Sequence, residues 1–166
     1  MNLRLGFKVA TALTLAVWMA ATPVAGAEKQ PVTLSELGNR DRLAALLYRY
    51  SSSKIDSVHL DFWVQQLDNA ESFKNDGSLP PKLAVREIAL TCLEAMTGTE
   101  FSLQSYGKRR EVREIITHRK GDAAWRYQIG AVADQQSAQI KAAASFWVQG
   151  FKRGVAETGR QTVTRR

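Results

Sequence analysis

Few side chains in this sequence are suited to acid–base or nucleophilic chemistry. Its two histidines are His59, which lies in a helical pattern four residues before Trp63, and His118, which stands in a basic run. The serines occupy capping or loop settings, and none lies in the Gly-x-Ser-x-Gly pattern of a hydrolase nucleophile. A hydrolytic triad needs a nucleophile, a histidine and an orienting acid. We therefore assign no catalytic residue.

The carboxylates and potential metal ligands of the chain form no specific motif either. Glu94 with Glu100, and Glu111 with Glu114, are pairs of the kind that glycosidases use, although most chains of this size contain similar pairs. Zinc sites need histidine or cysteine ligands at paired spacing, and the single cysteine, Cys92, lies in an apolar helical run. We predict a buried thiol there, and neither a metal nor a cofactor.

The N-terminus has the composition of an export signal. Arg4 and Lys8 precede the run 9–21, whose 13 residues carry no charge. A membrane-spanning helix needs roughly 20 apolar residues, so this run is better suited to a cleaved signal than to an anchor. An uncleaved anchor is the alternative.

The predicted signal peptide is 1–27. Ala25 and Ala27 are the small residues that signal peptidase requires, and the mature chain then begins at Glu28. This predicts a periplasmic protein, with full secretion as the alternative. Nucleic acid is not an expected partner, because export takes the chain away from it.

Length and composition point to one globular domain. The chain has 166 residues, of which 45% are apolar, and 23 Lys and Arg against 16 Asp and Glu give a net charge of +7. Such a composition excludes a wholly disordered or low-complexity chain. We expect an extended lead-in over 28–38, a single helical domain over 39–158 and a frayed basic tail over 159–166.

The spacing of apolar residues predicts helices in the first part of that domain. Amphipathic helices are expected from Asn39 to Tyr50 and from Ser57 to about Ala70. A third and more apolar helix, from about Pro81 to Met96, is expected at the centre of the core. Residues 101–106 are interpreted as a loop or an irregular helix.

Two further helices are expected after residue 107. Lys108 to Lys120 is predicted to be a short basic helix with Val112, Ile115 and Ile116 facing inward. Gly121 would end it, and a segment from Ala123 to about Ala156 would continue as helix with a break near 134–137. The predicted fold is all-α, an irregular bundle of five or six helices.

The densest charge in the chain suggests a first surface for partners. It is carried by five cations of the predicted basic helix: Lys108, Arg109, Arg110, Arg113 and Arg119. Such a patch fits an acidic protein or another anionic surface, and a solvated helix face is the alternative. We expect the stability of the fold not to depend on these cations, because exposed ion pairs contribute little.

A second candidate surface lies near the C-terminus. Trp147 and Phe151 are one helical turn apart, with Gly150 and Gly154 beside them. Glycine in a helix costs roughly 1 kcal/mol relative to alanine, so we expect a close neighbour there, either another helix of the domain or a partner. Over fewer than a dozen residues the pattern resembles a helix of small exported immunity proteins, but those carry paired cysteines that this chain lacks.

These features favour a non-enzymatic protein of the cell envelope that binds another envelope protein. An accessory factor of a secretion, conjugation or other envelope machine would fit this description. The alternatives are a periplasmic immunity protein or enzyme inhibitor, and a peptidoglycan-active enzyme. The oligomeric state is left open.

Overall fold

The computed structural model describes the backbone of residues 33–164 and the side chains of residues 33–155. The predicted signal peptide 1–27 lies outside the described residues, together with Ala25, Ala27 and Glu28 of its cleavage site. Arg165 and Arg166 of the predicted tail also lie outside them.

The described chain combines five α-helices with one antiparallel hairpin, and two short 3-10 helices, Leu34–Leu37 and Gln66–Asp68, complete it. The elements in chain order are α1 Arg40–Ser52, α2 Ser57–Gln65, α3 Val85–Thr97, α4 Phe101–Tyr106, β1 Val112–Lys120, β2 Ala123–Gly130 and α5 Asp134–Thr164. The fold is therefore mixed α/β, and the prediction of an all-α bundle was wrong.

The first two helices begin close to where the sequence placed them, each at a polar N-cap, but α2 ends at Gln65 and continues only as the 3-10 helix Gln66–Asp68, short of the expected Ala70. The side chain of Asn39 accepts hydrogen bonds from the backbone N–H groups of Asp41 and Arg42 at the start of α1. The side chain of Asp56 accepts one from Val58 at the start of α2. Both arrangements satisfy N–H groups that have no partner within the helix.

Helix α3 is the centre of the core, as its apolar sequence predicted. It packs against α1, α2 and β2, and Ile88, Cys92 and Leu93 are fully buried in it. The helix begins at Val85 and not near Pro81, because the preceding residues pair with an earlier segment. Leu83 accepts a hydrogen bond from Phe73, and a bridge joins Ala84 to Ser72.

The segment predicted to be a basic helix is strand β1, and the start of the predicted last helix is strand β2. The two strands pair in antiparallel fashion, with Lys120 opposite Ala123. Gly121 and Asp122 form the connection, and Gly121 has a φ of 60°. A positive φ at the first central residue is what a type II′ hairpin turn requires, and glycine adopts it without strain.

The alternation of a strand decides which side chains of the hairpin are buried. Ile116 and Ile129 are fully buried, whereas Ile115, predicted to face inward, is 43% exposed, as Val112 is at 44%. On the buried face, the ring of His118 stacks on Tyr48 of α1 with 4.6 Å between centroids. The hairpin thus lies with one face on α1 and α3 and the other open to solvent.

Helix α5 begins at Asp134, within the region where a helix break was predicted. Its buried face carries Ile140, Ala144 and Val148. The helix packs against α2 and α4, and an ion pair of 2.5 Å joins Lys152 to Asp61 of α2.

Candidate functional site

A polar cleft lies between the C-terminal half of α3 and strand β2. Its cavity volume is about 350 Å³. We call it the arginine cleft, after three of its lining side chains. It is lined by Ser51, Thr91, Glu94, Ala95, Gly98, Glu100, Ser102, Arg109, Arg110, Val112, Arg126, Tyr127, Gln128 and Gly130.

The innermost charged groups of the arginine cleft are Glu94 and Arg110, which form an ion pair. The Arg110 side chain is only 6% exposed and that of Glu94 18%. Arg110 also donates a hydrogen bond of 3.1 Å to the carbonyl oxygen of Gly130. A Cβ at Gly130 would lie 2.5 Å from the Cβ of Arg110, so the glycine permits this close packing.

Burial raises the pKa of the Glu94 carboxyl above its ordinary value of 4.5. The positive charge of Arg110 and its hydrogen bond oppose that shift, while the nearby charge of Glu100 adds to it. The carboxylates of Glu94 and Glu100 therefore repel each other within one cleft. The sequence alone could not show that they share it.

The mouth of the arginine cleft is more exposed. Glu100 and Arg109 form an ion pair of 3.1 Å, with side chains 50% and 77% exposed. Arg126, on the solvent side of β2, is also exposed and lines the cleft. Arg126 was not a candidate from the sequence. In a strand, its side chain is expected on the opposite face from those of Trp125 and Tyr127.

The five predicted cations do not form one patch. Arg109 and Arg110 line the arginine cleft, and the exposed Lys108 directly precedes them. Arg113 instead forms an ion pair of 3.3 Å with Glu87, a residue that sequence analysis did not select. Arg119 is exposed near the hairpin turn, at the other end of β1.

Glu87 is almost completely buried, and its carboxylate joins three parts of the chain. It accepts a hydrogen bond of 3.0 Å from the backbone N–H of Ala84, at the N-cap of α3. It also accepts one of 3.3 Å from Val132, between β2 and α5. The ion pair to Arg113 is the third contact, so the Arg113 side chain neutralises a buried carboxylate although 45% of it is exposed.

Trp147 and Phe151 lie on α5, away from the arginine cleft. Their rings are stacked, with 5.5 Å between centroids and 8° between planes, and both are half-buried against the core. The neighbouring Phe146 is 73% exposed. No atom of the described residues, apart from the helix's own nearby backbone, lies within 4 Å of a Cβ built at Gly150, so no neighbouring helix explains that glycine.

The described residues were also compared with the requirements of a metal site and of a membrane-spanning helix. No group of three or more histidine, cysteine or acidic side chains in this part of the chain is placed to hold a metal ion. Nor is any helix there long and apolar enough to cross a membrane.

Comparisons with known proteins found no relatives. A scan against models of protein families gave no match, and searches among curated proteins and solved structures gave no significant match either.

Proposed function

We propose that this is a small exported, non-catalytic binding protein of the cell envelope, which holds an acidic segment of another envelope protein at the arginine cleft. The observation that carries the proposal is the uneven exposure of charge there. The Glu94–Arg110 pair is buried at the base, while Arg109 and Arg126 are exposed at the mouth. Lys108 adds a third cation beside them.

Cations at the mouth of a cleft attract an acidic partner before contact and fix its orientation afterwards. The buried pair keeps the base of the cleft close to neutral, because Arg110 is matched by Glu94. An acidic segment would therefore be bound mainly by Arg126 and Lys108, and by Arg109 where the segment replaces Glu100 in its exposed ion pair. A role as an accessory factor of a secretion, conjugation or other envelope machine would use such a surface.

The binding proposal is tested by capture from a periplasmic extract with charge-reversed variants. Arg109→Glu with Arg126→Glu should abolish capture of the partner, and wild-type capture should weaken as salt is raised. Arg42→Glu with Lys74→Glu is the matched control, since it also reverses two exposed cations, neither of which lines the cleft. Equal capture by both variants would remove the cleft from the proposal.

Export is tested separately. Mass spectrometry of the protein isolated from cells should find Glu28 as the first residue. An intact Met1 on a membrane-bound species would contradict export with cleavage.

A peptidoglycan-active enzyme is the second candidate, because Glu94 and Glu100 line the same cleft. A glycosidase uses two carboxyl groups, one with a raised pKa as the acid, and burial raises the pKa of Glu94. We place it second because each carboxylate is paired with an arginine. Release of soluble fragments from purified peptidoglycan, lost in Glu100→Gln and kept in Glu111→Gln, would favour the enzyme.

A further inference from the structure

The direction of the backbone groups of β2 can be deduced from three contacts. The carbonyl oxygen of Ile115 in β1 accepts a hydrogen bond of 2.7 Å from Arg40, so it points away from β2. Ile115 is paired with Gln128. Pairs in an antiparallel ladder alternate between those that exchange both hydrogen bonds and those that exchange none. Ile115 and Gln128 therefore form a pair that exchanges no hydrogen bonds.

The same alternation applies two residues further along the ladder, where Thr117 is paired with Arg126. The N–H and C=O groups of Arg126 and Gln128 then point away from β1, toward the arginine cleft and α3. Two contacts on that side agree with this direction. The hydroxyl group of Thr91 donates a hydrogen bond of 3.5 Å to the carbonyl oxygen of Gln128. The guanidinium group of Arg110 donates one to the carbonyl oxygen of Gly130.

This edge of β2 is one wall of the arginine cleft, because Arg126, Tyr127, Gln128 and Gly130 all line it. In the described part of the chain the sheet has only two strands. A strand edge of this kind is a template for pairing with another chain. A third strand would also strengthen a sheet that, with two strands, is marginal on its own.

We propose that the partner's acidic segment binds as an extended strand, which adds to the outer edge of β2 within the arginine cleft. This inference rests on the proposed function and specifies how the partner is held. Backbone hydrogen bonds to the N–H and C=O groups of Arg126 and to the N–H group of Gln128 provide affinity, while the Gln128 carbonyl oxygen keeps its contact with Thr91. Acidic side chains of the segment meet Arg109 and Arg126. A second copy of the same edge is disfavoured, because the two copies of Arg126 would repel each other.

The test uses an eight-residue peptide of alternating valine and glutamate, blocked at both ends. Two analogues carry N-methyl groups, one on every valine amide and the other on every glutamate amide. Only one side of an added strand bonds to β2, so one analogue should lose affinity by roughly tenfold or more while the other binds much as the parent does. Charge is identical in all three peptides.

Hydrogen exchange gives a second readout on the full mature protein. The peptide should slow exchange of the Arg126 and Gln128 amides, and leave those of Trp125 and Tyr127 unchanged because they already lie in the ladder with β1. Equal affinity of the two analogues, or absence of protection at Arg126 and Gln128, would overturn strand addition. Failure of the parent peptide to bind at millimolar concentration would also count against it.

The two proposals fail in different ways. Capture of a partner that depends on Arg109 and Arg126, combined with equal affinity of the analogues, would retain the binding function and reject the added strand. Capture that does not depend on these arginines would reject the function itself.

Discussion

Arg110 is held against Glu94 at the base of a cleft, with only 6% of its side chain exposed. The sequence had placed this arginine in a run of solvated cations whose removal would not matter for stability. The structure contradicts that expectation for Arg110, because its guanidinium group lies between the Glu94 carboxylate and the Gly130 carbonyl group.

Arg110→Met should lower the free energy of unfolding by about 3 kcal/mol, since it leaves the carboxylate of Glu94 buried without its partner. Arg109→Met, which breaks an exposed pair, should change it by less than about 1 kcal/mol. Urea denaturation measures both. The double variant Arg110→Met with Glu94→Leu should recover most of the loss, and equal losses in the two single variants would contradict the assignment.

The raised pKa of Glu94 gives a pH dependence with a definite sign. Between its ordinary value of 4.5 and the raised value, the folded protein binds more protons than the unfolded chain does. The stability contributed by Glu94 is therefore present below pH 4.5 and is lost as the pH rises through the folded pKa. The unfolding free energy of the wild type minus that of Glu94→Gln should fall with rising pH. A difference that grows with pH would mean that attraction to Arg110 outweighs burial.

Gly150→Ala should stabilise the protein by about 0.5–1 kcal/mol, because a helix gains from the exchange and the added Cβ meets nothing within 4 Å. Gly38→Ala is the contrasting variant, as its Cβ would lie 2.7 Å from the carbonyl oxygen of Lys74. It should lower the melting temperature, whereas Gly150→Ala should raise it. A loss of stability in Gly150→Ala would reveal a close neighbour on α5.

Cys92 should not react with maleimide in the native protein and should react fully after denaturation. Its side chain is completely buried, and this burial raises the pKa of the thiol well above 9.0, so little thiolate is available. Cys92→Arg should prevent folding, since no space or counter-ion is provided at that site. Rapid labelling of the native protein would show that α3 opens readily.

One tetrapeptide shows how far the sequence could predict the fold. Val-Arg-Glu-Ile occurs at 85–88, in α3, and at 112–115, in β1. We expected both copies to be helical, because the apolar positions fit a helix in each case. Local pattern alone does not decide between the two structures, and the surrounding residues do.

The surrounding residues did carry the signal of a hairpin. Trp125, Tyr127 and Ile129 alternate along the chain, and Gly121-Asp122 is a two-residue connection of a type common in hairpins. In the helical interpretation, Gly121 was expected only to end a helix. Helices α1 and α2 were predictable because their apolar stripes and polar N-caps agree with each other. Helix α3 was predictable from its apolar stripe alone, whereas a hairpin depends on a partner that lies further along the chain.

The candidate site was predictable only in part. Arg109 and Arg110 were selected for their charge density, but their sharing of a cleft with Glu94 and Glu100 depends on tertiary packing. Arg119 was grouped with them because a helix was assumed. In strand β1 it pairs with Ala124 near the turn, so it lies at the far end of the strand from Arg109 and Arg110 and diagonally across the ladder from Arg126.

The buried carboxylate of Glu87 has a consequence for how the domain opens. The carboxylate is shared by Ala84, Arg113 and Val132. Detaching the hairpin from α3 would therefore leave the buried charge without its ion-pair partner, a state of high free energy, and detaching the connection to α5 would remove one of its hydrogen bonds. Fluctuations that release one of these elements alone are suppressed. The three elements should therefore unfold as a single cooperative unit and refold together.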